Sequence, residues 1–427
     1  MMNHHNELKR TIGLPQAIAL YIGAVLGSGV LIVPGIAAEI SGPASLLAWG
    51  LMTLLVIPLA LSMGLLSAKY PNAGGVSYFV TQAFGAKAGS LVGWFFLMSV
   101  PIGAPVVALT GAGYMTAAMG WGNGLRVALA AGMLVVGLLI NLIGMKVAGQ
   151  VQIVVEVVII AVLVIAIIGA MPYIKSANFR PFMPHGWMSV GQTAAILFWC
   201  FIGWEAVSHL SEEFLDPQRA AIKGVLITAV IIGLLYFLTA FVTVGTHSYQ
   251  ESGSDVSLVL LIRKLFGETG AMIAGLTSVF ICTATIIAYV GAASRLAFAL
   301  ARQGDAPRQM GILSKRYSTP IGGLGFLTFC FIVVLSLYYS GSVSLTTLIQ
   351  LPNATFILTY LGGCAAGIRL LKGSVWGVGI CWLSFLSTII VFPFVGWAVL
   401  YPLVITAGFW ISRQIRSRTQ YFRNISE

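Results

Sequence analysis

Gly27-Ser28-Gly29 sits near the middle of the first long apolar run of the chain, and Trp199-Cys200-Phe201-Ile202-Gly203-Trp204-Glu205 sits in the middle of a later one. Two glycines flanking a serine lower the cost of leaving helical geometry and let a ligand approach the backbone. If a helix opens there, several N–H groups lose their intrahelical acceptors, and such groups at a helix start suit a carboxylate. Close packing of small residues is the other use of this stretch, because Gly23 and Gly27 form a G-x-x-x-G pattern. A comparable interruption at Gly203 favours the ligand reading. Carboxylates narrow the chemistry further. Glu205 and Glu156 are the acids placed deepest within apolar runs. An ionised carboxylate at bilayer depth costs at least about 2.5–3.5 kcal/mol, so each must be neutral, paired or facing water. Glu205, two residues beyond the glycine, is therefore a candidate for gating and for carrying a coupling proton; Glu156 is a second candidate without that positional support.

Other residue types complete the set. Trp199, four residues before Gly203, could close over a substrate as an aromatic lid or serve as an ordinary packing residue. Asn353 and Thr355 are polar groups at depth, suited to lining a cavity or to interhelical hydrogen bonds. His209 and His247 lie near run ends and lack a metal-compatible partner three or four residues on, so no metal and no cofactor other than a proton is expected. The stretch SEEFLDPQR, Ser211 to Arg219, mixes acids with arginine and could pair with Arg295 or Arg302 as an inner gate, or stand as a solvated charge cluster.

The elements that must hold these groups follow from composition. The chain of 427 residues is 58% hydrophobic and 8% charged, with a mean hydropathy of +0.96. A soluble domain carries roughly 25% charged residues. Apolar runs of about 20 residues, the length that spans a bilayer core as helix, recur along it. The expectation is an all-α integral membrane protein with twelve spans, near 12–40, 44–67, 89–117, 125–144, 149–171, 191–211, 222–245, 270–300, 321–340, 344–368, 374–392 and 395–412. No cleavable leader is evident before the first span. The net charge of +11 could suggest nucleic acid, but its placement does not. With both termini cytoplasmic, all 23 Lys and Arg except Arg126, Lys175, Arg180, Arg263 and Lys264 fall on the cytoplasmic side, as the positive-inside rule requires. The partner is the lipid bilayer, with the basic tail against anionic headgroups. The five cysteines lie in spans without metal-ligand spacing and read as packing residues.

Two polar-apolar segments, Pro71 to Gly85 and Ser254 to Gly267, fall between spans 2 and 3 and between spans 7 and 8. Their matching places suggest two inverted repeats of five spans, in which an interruption of span 1 recurs in span 6. The organisation is then a cytoplasmic N-terminus (1–11), a first five-helix repeat (12–171), a second (191–368), two further helices (374–412) and a basic cytoplasmic tail (413–427).

At these residues the sequence resembles the amino acid–polyamine–organocation superfamily. The similar pieces are GAVLGSGVLIVPG, YPNAGGVSYFV, FWCFIGWEAVSHLSEEFLDPQR and ASRLAFALARQGDAP, in the expected order from about residue 12 to 370. PNAGGVSYFV, FFLMSVPIGAPVVAL and FWCFIGWEA followed by SHL narrow the likeness to bacterial exporters of L-methionine and branched-chain amino acids. The resemblance implies a LeuT-like fold with the substrate's α-carboxylate and α-amino groups held at the breaks of spans 1 and 6. Gly27, Ser28 and Gly29 would then meet the carboxylate, Ser28 and Gly29 through their N–H groups, and the backbone around Trp199, Cys200, Ile202 and Gly203 would meet the amino group. WCFIGWE is also similar to the matching segment of the arginine/agmatine exchanger, which implies a gate at Trp199 and a pH-responsive group at Glu205. One departure stands out. Some proton-coupled relatives place a lysine in span 5, where this chain has Glu156 and no lysine beyond Lys146.

The functional expectation is a secondary active transporter, in a bacterial inner membrane, moving neutral apolar amino acids such as methionine, leucine, isoleucine and valine, outward by alternating access. It would act as monomer or homodimer. An exchanger or a proton-coupled importer of other amino acids or amines is the alternative. An intramembrane enzyme would need a nucleophile–base pair or a metal cluster at depth, and neither is present in the sequence; a channel, possible in principle, would need rings of charges or carbonyls along a continuous pore, and the paired broken helices fit a closed midplane site better.

Overall fold

In the computed structural model the described residues are 13–72, 74–143, 148–208, 211, 214–249, 257–317 and 319–426; the side chains of 148–156, of 415–426 and of several residues between 221 and 265 lie outside the description. His209, Glu212 and Glu213 therefore fall outside it, as does the side chain of Glu156. Regular structure among the described residues is helical, with no strand.

The first apolar run does not form one helix. α1 (Leu14–Val25) stops, the chain leaves helical geometry at Leu26 (φ −78°, ψ 63°), and α2 (Gly29–Ser41) begins after Ser28. Gly42, at φ 60°, turns the chain into α3 (Ser45–Lys69). Asn72 then accepts from the Gly74 N–H at 2.8 Å, an Asx turn that starts α4 (Gly75–Phe84). α5 (Ala86–Met119), α6 (Asn123–Ile143) and α7 (Ala148–Ala170) follow, and short 3-10 turns lead to the second interrupted element. That element consists of α8 (Gly186–Leu197), one 3-10 turn over Phe198–Phe201, and α9 (Trp204–Ser208). α10 (Pro217–Arg219) passes through a π-helical stretch into α11 (Val225–Thr246).

α12 (Ser257–Arg302) absorbs both the short amphipathic segment and the next span, bending between them at Gly267 (φ 68°, ψ −165°). Arg263 on the short arm donates to the carbonyls of Ala117 and Ala118, at 3.1 and 2.7 Å, so the arm is tied to the last turn of α5. α13 (Ile321–Tyr339), α14 (Leu345–Leu370), α15 (Val375–Val391) and α16 (Leu400–Ser426) complete the chain. Residues 413–426 are helical, continuing α16 to Ser426.

Nine helical stretches among the described residues are long and apolar enough to cross a membrane, so this is a multi-pass membrane protein. The number differs from the twelve expected because glycine turns fuse some spans into one stretch. Gly29–Lys69 contains α2 and α3, and Val375–Gln414 contains α15 and most of the apolar part of α16 around a bend at Gly396. α7 enters only as the shorter Val157–Tyr173. The centre is built from α5, which packs along α12 and against α14, while α3 packs on α11. The interrupted helices are enclosed by these.

Candidate functional site: a cavity between two broken helices

The breaks meet each other. A β-carbon on Gly29 would lie 2.9 Å from both Cα and Sγ of Cys200, so only glycine allows α2 to start against the 3-10 turn of the second element. Gly203 has φ 133°, a conformation side chains rarely adopt, and a β-carbon there would lie 2.5 Å from the carbonyl oxygen of Ala24. Each break therefore fits into the other through missing side chains. Trp199 adds a polar link, its indole N–H donating to Ser28 Oγ at 3.4 Å.

Backbone groups left open by the breaks are only partly satisfied. Gly27 N–H donates to Val25 O at 2.9 Å, and Leu31 and Ile32 both donate to Ser28 O at 3.2 Å. Between them, the N–H groups of Ser28, Gly29 and Val30 make no such bond to a carbonyl among the described residues. At the end of α1, the Val25 carbonyl accepts from Tyr236 OH at 2.8 Å. The result is a helix start with free donors beside a helix end, both facing one space.

That space is a cavity of about 40 Å³ that opens to one side. Gly27, Ser28, Gly29, Trp199 and Ile202 line it, together with Ala24 and Val25. The opposite wall is apolar: Val100, Gly103, Ala104 and Val107 from α5, Ile286 from α12 and Phe356 from α14. Ser28, Thr285 and Tyr289 are its polar side chains, and no charged side chain lines it. Trp199, Tyr289 and Phe356 form an aromatic wall, with ring centroids 6.5 Å apart for Trp199–Phe356 and 6.0 Å for Tyr289–Phe356.

Glu205 lies behind this wall, fully buried. Its carboxyl accepts from Gly203 N–H at 2.9 Å, from Tyr289 OH at 3.3 Å and from Tyr360 OH. Three donors on one buried carboxyl offset the cost of removing it from water. They also join the second break to α12 and α14.

Several expected site residues stand elsewhere. Cys200 and Gly203 do not line the cavity; they form the contact between the breaks. Asn353 donates to Ala195 O at 2.6 Å, and Thr355 bonds Ser99 Oγ at 2.6 Å and donates to Pro352 O at 2.8 Å, so both serve interhelical and intrahelical hydrogen bonds away from the cavity. Asp216 caps Arg219 N–H at 3.0 Å, while Arg302 lies over the Phe298 ring. Tyr289, Tyr360, Thr285 and Phe356 were not singled out by the sequence. Their signal was faint: tyrosines at mid-span, and in α5 the i, i+3, i+4, i+7 spacing of Val100, Gly103, Ala104 and Val107.

A family model described as amino acid permease matches residues 12–419. The chain belongs to the amino acid permease family. Within the amino acid–polyamine–organocation superfamily, the permease is 39% identical to the uncharacterized amino acid permease YecA of Bacillus subtilis over 406 residues, 94% of this chain and 95% of that one. It is 33% identical to the L-methionine/branched-chain amino acid exporter YjeH of Escherichia coli over 411 residues, 95% and 96% of the two chains. The branched-chain amino acid permease BcaP of Bacillus subtilis matches at 26% over 333 residues, 74% of the permease and 72% of BcaP. The permease is thus similar over nearly its full length to proteins that move amino acids.

Proposed function

We propose that the permease is a secondary active transporter of neutral apolar L-amino acids, methionine, leucine, isoleucine and valine among them, exported by alternating access. The carrying observation is the cavity. It sets open backbone donors at Ser28 and Gly29 against a wall with no charged side chain. Free N–H groups at a helix start suit the α-carboxylate, and the carbonyls at the end of the 3-10 turn, near Trp199 and Ile202, suit the ammonium. The side chain then points toward α5, α12 and α14, where only an apolar group avoids leaving a polar one unpaired. The names of YjeH and BcaP support the same substrate class.

The wider frame of the proposal is a twelve-span, LeuT-like arrangement of two inverted five-helix repeats, with both termini in the cytoplasm of a bacterium. Two interrupted helices at corresponding places support it. Glu205 is the candidate carrier of a coupling proton. A second reading, import or exchange in place of export, is favoured by the likeness to BcaP, whose name specifies no direction.

Vesicles reconstituted with the permease and preloaded with labelled leucine or methionine test the proposal. Efflux should be competed by the other apolar amino acids and not by arginine. Efficient efflux of the decarboxylated amine, isoamylamine, would overturn the carboxylate role assigned to the first break.

A further inference from the structure

Sulfur gathers at one place outside the central cavity. α14 ends at Leu370 and α15 begins at Val375, so the two form a hairpin. Cys364 and Cys381 each stand six residues from its turn, level with each other about 9 Å along the helices. Gly367, one turn from Cys364 on the same face of α14, receives the Cys381 sulfur: a β-carbon there would overlap Sγ. α3 closes the third side. A β-carbon on Gly363 would lie 2.7 Å from Met63 Cε and 3.1 Å from Met63 Sδ, so the thioether rests on α14 beside Cys364. The neighbouring Ser62 hydroxyl is in hydrogen-bonding contact with both thiols. It also donates to Pro58 O at 2.9 Å and bonds Ser384 Oγ at 3.1 Å.

Two thiols and a thioether from three helices thus meet in a buried place, with two serine hydroxyls beside them. Both cysteines are free thiols. Among the described residues no three His, Cys, Asp or Glu side chains come together, so this place offers little to a hard cation such as magnesium. Its donors are soft ones, and thiolate and thioether ligands select soft metals. Charge narrows the choice. A metal-bound thiol is deprotonated, and two thiolates balance a divalent cation exactly as far as charge goes. The complex is then neutral, whereas a monovalent ion would leave a net negative charge at a depth where charge is costly.

We propose that Cys364, Cys381 and Met63 form a binding site for a soft divalent cation of the zinc group, and that the bound cation ties α3 to the α14–α15 hairpin and arrests transport. On binding, two S–H bonds break, two sulfur–metal bonds form and two protons leave; no electrons are exchanged. Met63 Sδ supplies a third, neutral ligand. Ser62 stays against both sulfurs and orients them from behind. The arrest follows from connectivity. α3 joins α2, half of the first interrupted element, through the turn at Gly42. A bond from α3 to the hairpin therefore restrains the first break. This consequence rests on the alternating-access reading; the site itself does not.

Cadmium chloride is the probe, added to the full-length permease in nanodiscs. Wild type should bind one cadmium tightly, with a thiolate-to-cadmium absorption band in the ultraviolet, release of two protons and a raised thermal midpoint. Cys364→Ser and Cys381→Ser should each weaken binding by at least about tenfold, and Met63→Leu, which keeps the volume, by severalfold. Cys282→Ser and Cys330→Ser should bind as wild type does. Where a serine variant fails to fold, Met63→Leu and the wild-type proton count still decide. No tight cadmium, fewer than two protons released, or affinity unchanged in Cys364→Ser, Cys381→Ser and Met63→Leu alike would overturn the site. Leucine efflux from proteoliposomes should fall with cadmium, recover on adding a chelator, and be indifferent to cadmium in Cys381→Ser. Full efflux with cadmium bound would overturn the arrest. A wild type that moves no leucine at all would defeat the transport reading, while cadmium binding would still decide the site.

Discussion

Tyr289 faces the central cavity and also donates its phenolic hydrogen to Glu205 Oε1 at 3.3 Å. One residue thus touches both the space for a substrate and the buried carboxyl that fixes the second break. Glu205 in turn accepts from Gly203 N–H at 2.9 Å, so on the proposed reading a substrate at the Tyr289 ring would act on the second break through this carboxyl.

Tyr289→Phe keeps the ring against Phe96 and Phe356 and deletes only the donor. Loss of one donor to a buried acceptor costs about 1–3 kcal/mol. The thermal midpoint should fall slightly and the initial rate of leucine transport about tenfold. In a double-mutant cycle with Glu205→Ala the combined loss should be less than the sum of the two, because both remove the Tyr289–Glu205 contact.

Glu205→Gln imitates a carboxyl that is always neutral. If the proton on Glu205 is coupled to transport, the variant should lose the pH dependence that wild-type transport shows across the range tested. Rates measured in vesicles clamped across that range decide it. An unaltered profile in the variant would remove Glu205 from proton coupling and leave it as a structural hub for Gly203, Tyr289 and Tyr360.

Gly103 sets the depth of the cavity. A β-carbon there would lie 3.4 Å from Trp199 Cη2, an ordinary contact, so Gly103→Ala should fold normally. The added methyl occupies substrate space. Leucine and methionine should bind about tenfold more weakly while alanine is little affected, as read by competition against a labelled ligand. Gly103→Val should extend the loss to valine.

Gly203→Ala offers no such tolerance. The methyl would meet Ala24 O at 2.5 Å and the backbone is at φ 133°. Strain of that kind costs about 1–3 kcal/mol before the clash is added. The purified variant should unfold at a clearly lower temperature than wild type, and leucine should protect it less.

Much of this arrangement could be read from local chemistry. Glycine at the centre of an apolar helix serves close packing as readily as a break, but its recurrence in GSG and in FIGWE at corresponding places favours the break. Gly27, Ser28, Gly29, Trp199 and Ile202 do face one cavity. Spatial partners were harder to infer. Cys200 enters only through the resemblance, as part of the backbone around Trp199, and in the structure its Cα and sulfur back Gly29. Asn353 and Thr355 were ambiguous because a polar group in a span must bond something, and sequence does not say whether that is ligand or helix. Tyr360 and Tyr289 meet Glu205 only through helix packing across 155 and 84 residues of chain, a relation with no local signature.

The fit of Gly29 onto Cys200 and of Gly203 onto Ala24 has a mechanical consequence. With no side chain between them, the two breaks have no slack. They behave like the teeth of an escapement: a shift of one element must be taken up by the other before anything else in the bundle moves. In the alternating-access carrier proposed above, such gearing would resist an accidental opening of both ends at once, because the two glycines leave no play for it.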